Sequence, residues 1–422
     1  MSARTDEVRE RDSNDRRRRQ PSRVLLAGAV SLALTCSGCG LVSGSKAPQP
    51  SASLESPGPA RALPSAAFAG SAPASCATRV FSRMSEAQRV GQLFLVGIAG
   101  APAHDVAEAV RTYHFGSLLW EGTSTAGLAA DRRVSRAIQA LATPTATARV
   151  RFFVAANQEG GQVQELNGAG FSAVPSALVQ GQLSAAELQR QAAGWGRELR
   201  SAGVNLDLAP VMDVVPSATA SQNAPVGALQ REFGHNPRTT GAHGVAFIRG
   251  MKQAGVATTA KHFPGLGQVV GNTDFSSGVV DTTTGPKSPD LKSFQSAIKA
   301  AVPFVMVALA TYTRLDPHHL AAFSSRVMMG LLRQQLHFRG VIVSDDLGVA
   351  AAVADLSPAT RGIDFLAAGG DLITSQSLPA AIAMDQAILT RAAGDAAFRS
   401  TVNAAVIRIL DAKQAYHLMP CY

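Results

Sequence analysis

VATTAKHFPGLGQVVGNTDFSSGVVD, residues 256–281, opens as a short β-branched strand and runs through Lys261-His262 into a loop carrying Pro264, Gly265, Gly267 and Gly271. A cation and an imidazole at a strand tip are held rigidly, while a glycine-rich loop beyond them can fold over a ligand. The same pattern, an apolar run ending in polar residues, recurs along the chain. Strands are expected at Gln92–Gly97, Phe115–Trp120, Arg151–Ala156, Val204–Ala209, Val256–Lys261, Pro303–Leu309, Gly340–Ser344 and Asp371–Ser375. An amphipathic segment, Met84–Val90, precedes the first of them. Between the strands, Ala185–Ala202, Thr239–Ala254, Ser324–Leu336 and Leu378–Ala393 have helical periodicity. Eight strand–helix repeats over about 340 residues predict an α/β protein built as one (β/α)8 TIM-type barrel domain. A doubly wound open sheet would normally carry a glycine-rich phosphate fingerprint after its first strand, and the sequence has none there.

In such a barrel the chemistry sits where strands end in loops. The third strand ends in Asn157-Gln158-Glu159-Gly160-Gly161, the fourth in Pro210-Val211-Met212-Asp213, the fifth in Lys261-His262 and the seventh in Ser344-Asp345-Asp346-Leu347. Ionisable residues thus gather at one face of an otherwise apolar scaffold, the arrangement of a site.

The N-terminal region reads differently. Arg16 to Arg19 and Arg23 form a basic segment ahead of the apolar run VLLAGAVSLAL, Val24 to Leu34, too short for a permanent membrane span and suited to a signal peptide. Ser37-Gly38-Cys39 follows and resembles a bacterial lipobox, with residues 1–38 removed and Cys39 lipidated. Residues 39–75 are Ser, Ala, Pro and Gly-rich and read as a disordered tether. Residues 76–422 then make the barrel domain. The expectation is an exported monomer, anchored through Cys39 on the outer face of a bacterial cytoplasmic membrane. In that oxidising setting Cys76 and Cys421, at the two ends of the folded body, are expected to close one disulfide. No metal-ligand spacing of Cys or His is present.

With 46% hydrophobic and 16% charged residues the 422-residue chain can bury a large core. Aromatics at 5% disfavour stacking platforms for nucleic acid, which is not an expected partner. Of the net charge of +9, residues 1–38 supply three, with eight Arg against five Asp or Glu. The remainder shows no Lys/Arg cluster along the sequence and implies only a non-specific pull toward an anionic envelope.

The blocks GQLFLVG (Gly91–Gly97), QEGGQVQ (Gln158–Gln164), LAPVMDV (Leu208–Val214), REFG (Arg231–Gly234), KHFPG (Lys261–Gly265), LLRQQLHFRGVIVSDDL (Leu331–Leu347) and AGGD (Ala368–Asp371) resemble, in order, those of glycoside hydrolase family 3. The similarity is to its single-domain β-N-acetylglucosaminidase branch and runs from about Ser82 to Leu410. The resemblance implies a retaining exo-β-glycosidase acting on terminal β-linked N-acetylglucosamine of peptidoglycan fragments or chitooligosaccharides, with no metal or organic cofactor. It makes Asp345 the nucleophile and Arg231, Lys261 and His262 sugar-binding residues. Asp213 is expected to organise the loop after the fourth strand, and Asp346 to support its neighbour.

Two departures stand out. Where the family has Asp-Gln-Glu-Gly-Gly, this chain has Asn157, an amide that loses the charge and the bidentate acceptance of a carboxylate. Where the branch has KHFPGHG and then Asp-Ser-His, with the last histidine as acid/base, this chain has KHFPGLG and Asp274-Phe275-Ser276. No histidine occurs between Phe263 and Arg314, and a serine hydroxyl cannot protonate a leaving sugar. Three readings stay open: an enzyme using another acid, with Asp274 nearest, or one limited to good leaving groups; a binder of cell-wall sugars on a silenced barrel; or a structural envelope protein.

Overall fold

A computed structural model describes residues 75–98 and 104–421. The expected signal peptide, the lipidation at Cys39 and the tether as far as residue 74 lie outside the described residues. Eight parallel strands form the barrel: β1 (Phe94–Ile98), β2 (Ser117–Trp120), β3 (Phe153–Ala156), β4 (Leu206–Asp207), β5 (Ala257–Phe263), β6 (Phe304–Val307), β7 (Val341–Ser344) and β8 (Ile373–Ser375). They run in the order β7-β6-β5-β4-β3-β2-β1-β8, and a bridge from Val343 to Leu372 closes the ring. A helix follows each strand: α1 (His104–Tyr113), α2 (Leu128–Ala140), α3 (Ala185–Ala202), α4 (Pro237–Gln253), α5 (Leu291–Lys299), α6 (Arg326–Gln335), α7 (Pro358–Ala367) and α8 (Leu378–Gly394). A last helix, α9 (Ala396–Ala415), completes the domain.

The strands read as near-continuous apolar runs because both faces are covered, by helices outside and by one another's side chains inside. Every residue of all eight strands is buried. Across the lumen Phe153 of β3 meets Phe304 of β6 edge to face, with ring centroids 5.3 Å apart. At the N-terminal end Lys413 of α9 donates to Gln92 Oε1 and to the Gly116 carbonyl, each at 2.7 Å, and stops the barrel. The interior is therefore a packed core and the open end is the C-terminal one. Cys76 and Cys421 are joined by a disulfide with Cα atoms 6.1 Å apart, which sets the two ends of the domain side by side.

Strand β5 continues two residues beyond the expected Lys261, because Phe263 still pairs with Val307 of β6. Two polar residues, Lys261 and His262, are thereby built into a buried strand. Among the described residues no helix is long and apolar enough to cross a membrane.

Candidate active site

Lys261 and Arg231 approach one another from different elements, and what holds them is Glu159. Its Oε1 lies 2.6 Å from Lys261 Nζ, and its two oxygens accept from Arg231 Nη2 and Nε at 2.7 Å each. Arg231 also donates to the Pro225 carbonyl at 2.7 Å. Two buried cations need a buried counter-charge. Burial alone would raise the Glu159 carboxyl, but the charges and hydrogen bonds of Arg231 and Lys261 outweigh it and hold the group at about 2. Glu159 stood in the sequence as part of a strand end without a role. Its signal was the need of two buried cations, one at a strand tip and one in the loop after β4, for a partner.

Asn157 accepts from Lys261 Nζ through Oδ1 at 2.8 Å. Its other end is occupied too: Nδ2 donates to Glu165 Oε1 at 3.0 Å, and the Asn157 backbone N–H donates to Glu165 Oε2 at 2.6 Å. Glu165 arrives there because Gln158–Gly160 and Val163–Gln164 form a hairpin. At its turn Gly160 and Gly161 have φ of +100° and +59°, and a Cβ on Gly160 would sit 2.2 Å from the Pro175 carbonyl oxygen. Burial pushes the Glu165 carboxyl up to about 8, partly offset by the bonds from Asn157 and the charge of Lys261. Nearby Asp207, also lifted by burial, stands at about 7 and accepts from Gln158 N–H at 3.0 Å. Neither acid was singled out from the sequence, since the hairpin that delivers Glu165 is invisible until the Gly160-Gly161 turn is placed.

Asp213 is wholly buried and organises the tip of β5, not its own loop. One oxygen accepts from the His262 and Leu266 backbone N–H groups, each at 3.0 Å; the other lies 2.8 Å from His262 Nδ1. That contact keeps the proton on Nδ1 and leaves Nε2 as the ring's remaining polar atom. Beyond it, the loop from Leu266 is fastened on two sides. Asn223 Nδ2 donates to the Leu266 and Val269 carbonyls at 2.7 Å, and Ala351 and Ala352 N–H donate to the Asp274 and Thr273 carbonyls at 3.1 and 3.0 Å. Asp274 is thus carried on a folded loop pinned to the segment after β7.

That segment holds Asp345. Its backbone N–H donates to the Val307 carbonyl at 3.1 Å, and its Oδ1 accepts from Asp346 N–H at 3.0 Å. Asp346 turns away to accept from the Gly348, Val349 and Gln376 N–H groups at 2.9 Å each, tying the loops after β7 and β8 together. It supports its neighbour through the backbone.

One cavity of about 620 Å³ brings the set together: Asn157, Arg231, Lys261, His262, Asp274 and Asp345 all line it. Burial among the cavity walls, and then the field of Asp345, lift the Asp274 carboxyl to about 6, with His262 and Arg231 opposing. Solvent still reaches Asp274 at the mouth, so the lift reflects a partly dehydrated group facing a second acid. Phe275 beside it is 83% exposed and lines the same mouth. The buried end offers cations and amide to hydroxyl oxygens, and the mouth offers two carboxyls. Among the described residues no three His, Cys, Asp or Glu side chains are placed to hold a metal ion.

Residues 86–412 match the family described as glycosyl hydrolase family 3 N terminal domain. The crystal structure of a β-N-acetylhexosaminidase from Beutenbergia cavernae superposes with a TM-score of 0.77 at 43% identity, covering 78% of this chain and 99% of that one. A family 3 β-N-acetylglucosaminidase from Paenibacillus gives 0.72 at 27% identity, over 79% of this chain and 63% of the other. A curated β-hexosaminidase of Stenotrophomonas maltophilia is 34% identical over 233 residues. That match takes in 52% of this chain and 65% of the relative, just under two thirds of its length.

Proposed function

Because the chain belongs to glycosyl hydrolase family 3, we propose that it releases terminal β-linked N-acetylglucosamine with retention, through a covalent ester on Asp345. The observation that carries this reading is the pair of carboxyls, Asp345 and Asp274, on one cavity whose buried end presents Lys261, Arg231 and His262. The relatives named β-hexosaminidase and β-N-acetylhexosaminidase support the substrate class.

In the first half-reaction Asp345 attacks the anomeric carbon as the bond to the leaving oxygen breaks, and that oxygen takes the proton of Asp274. Forming the ester removes the charge of Asp345, the field that helps lift Asp274. The acidity of Asp274 then rises and it becomes the base that takes a proton from water as water cleaves the ester. Phe275 offers a ring face to the leaving sugar. Lys261 and His262 from the rigid end of β5, and Arg231 clamped by Glu159, hold hydroxyl oxygens, so the sugar is aimed before it reacts. The basic segment, apolar run and Ser37-Gly38-Cys39 support the further reading of an exported monomeric lipoprotein acting on peptidoglycan fragments or chitooligosaccharides.

The test compares an activated aryl β-N-acetylglucosaminide with an unactivated disaccharide. The intact protein is expected to cleave both, and Asp345→Ala to lose turnover of both by on the order of 10⁴-fold or more. Turnover of the aryl substrate alone would remove Asp274 from the acid role. Saturable disaccharide binding without turnover of either would replace the enzyme reading with a sugar-binding barrel.

A further inference from the structure

The positive charge left after the signal segment was expected to show no cluster; α2 carries Arg132, Arg133 and Arg136, and the fold gathers further arginines beside them. Arg132 and Arg136 of α2, Arg151 just ahead of β3 and Arg200 near the end of α3 line a single cavity of about 410 Å³. Arg151 and Arg200 lead into the N-terminal ends of β3 and β4, so the cavity lies at the opposite end of the barrel from Asp345 and Asp274. Five other arginines have carboxylate partners: Arg190, Arg231, Arg333, Arg391 and Arg408. None of these four has one among the described residues. Arg132 Nε donates to the Ser201 carbonyl; Arg136, Arg151 and Arg200 stand exposed. Arg132 and Arg136, one helical turn apart, repel each other.

The wall of the cavity carries a second, independent feature. Ser135 is only 2% exposed, and its hydroxyl has no hydrogen-bond partner. A buried hydroxyl left unpaired costs stability and calls for an explanation. Gly203 lies against it, in a conformation with φ of +86°, and a Cβ there would fall 2.5 Å from Ser135 Cβ. The wall is shaped by small residues around one free hydroxyl and surrounded by guanidinium groups.

We propose that this cavity is a binding site for a phosphate-bearing anion. Guanidinium forks match phosphate oxygens in pairs, and the Ser135 hydroxyl supplies a further neutral donor. The bound anion relieves the mutual repulsion of the four cations and satisfies the orphan hydroxyl. Two sources share this chemistry, free phosphate and the headgroup of an anionic lipid.

The experiment uses residues 75–422, which contain the closed barrel, its whole core and the disulfide. Inorganic phosphate is titrated at constant ionic strength by calorimetry, and sedimentation is followed with vesicles of phosphatidylglycerol in phosphatidylcholine and of phosphatidylcholine alone. The proteins are the wild type, the double variant Arg136→Gln/Arg200→Gln and Ser135→Ala. Saturable binding of one phosphate per chain is expected, weakened about tenfold or more in the double variant and a few-fold in Ser135→Ala, where non-specific attraction would be indifferent to a hydroxyl. Phosphate binding without sedimentation assigns the site to free phosphate; sedimentation with phosphatidylglycerol that falls in the double variant assigns it to the headgroup. Absence of both, or binding that neither variant changes, overturns the proposal. Turnover of the aryl glycoside is expected to stay at the wild-type level in all three proteins, which separates this site from the catalytic cavity.

Discussion

Asn157, where the family resemblance implies a carboxylate, is committed to two neighbours. Its amide is held between the Lys261 ammonium and the Glu165 carboxyl, leaving one lone pair and one N–H for a sugar. Asn157→Asp alone would set a second carboxylate against Glu165, raising the acid it faces, and is expected to leave KM unchanged or higher. Asn157→Asp combined with Glu165→Gln keeps a donor toward the new carboxylate and frees its remaining acceptors. The double variant is expected to lower KM for the aryl glycoside by about tenfold, the worth of one hydrogen bond to a charged group. An equal KM in the single and double variants would show that Glu165 does not control this position. Asp274 has its own signature. Asp274→Asn should cost on the order of 10²–10⁴-fold in kcat/KM on the unactivated disaccharide and far less on the aryl substrate, whose leaving group needs no proton. In the wild type the disaccharide rate should fall as pH rises through about 6, the value at which Asp274 gives up its proton; a flat profile there would exclude it as the acid.

At the scale of elements, the loop from Leu266 to Gly278 decides where Asp274 stands, and Asn223 decides where the loop stands. Asn223 is buried and uses all its polar atoms, donating to two loop carbonyls and accepting from Val226 and Gly227 N–H. Asn223→Ala is expected to lower stability by about 2–4 kcal/mol, since it strands several buried groups. It should also reduce disaccharide turnover about tenfold more than aryl turnover, because a displaced acid matters only where a proton is needed. Equal losses on both substrates would mark Asn223 as structural alone. The same contrast explains what was legible in the sequence. All eight strands could be read because a strand covered on both faces is apolar over most of its length. Lys261 and His262 stood out as polar residues at the tip of such a run. The partners of these residues could not be read: Glu159, Glu165 and Asp213 act through contacts 72, 8 and 49 positions away. Only the side-by-side pairing of β3, β4 and β5 and the Gly160-Gly161 hairpin bring those positions together. The arginine cavity was hidden for the same reason, its members drawn from three segments far apart in the chain, only one of which, Arg132 to Arg136, is basic by itself.

Across the whole molecule the buried acids set how stability responds to pH. Burial lifts Glu165 to about 8, Asp207 to about 7 and, with no other cause, Asp385 of α8 to about 7. Asp207 and Asp385 each have an oxygen without a hydrogen-bond partner, so little in the fold compensates a charge on either. A carboxyl whose folded pKa is raised contributes its full stability below the unfolded value, near 4, and loses it as pH climbs through the folded value. Between pH 5 and 7 the unfolded chain has released these three protons and the folded chain still holds most of them, so stability must fall across that interval. Two other groups change this interval little. Glu159, held at about 2, is ionised in both states once pH exceeds 5. Lys413, lowered to about 7 by burial, stays charged in both states over most of the window and only near its upper edge begins to lose its proton in the fold, which opposes the fall slightly. Three acids shifted by this much amount to a few kcal/mol, and the Tm of residues 75–422 is expected to be about 5 °C or more higher at pH 5 than at pH 7. Asp385→Asn removes one of the three without touching the cavity, so its Tm should depend on pH less steeply than the wild type while aryl turnover is retained. A wild-type Tm that is the same or higher at pH 7 would show that the fold holds these acids ionised, with partners other than those described.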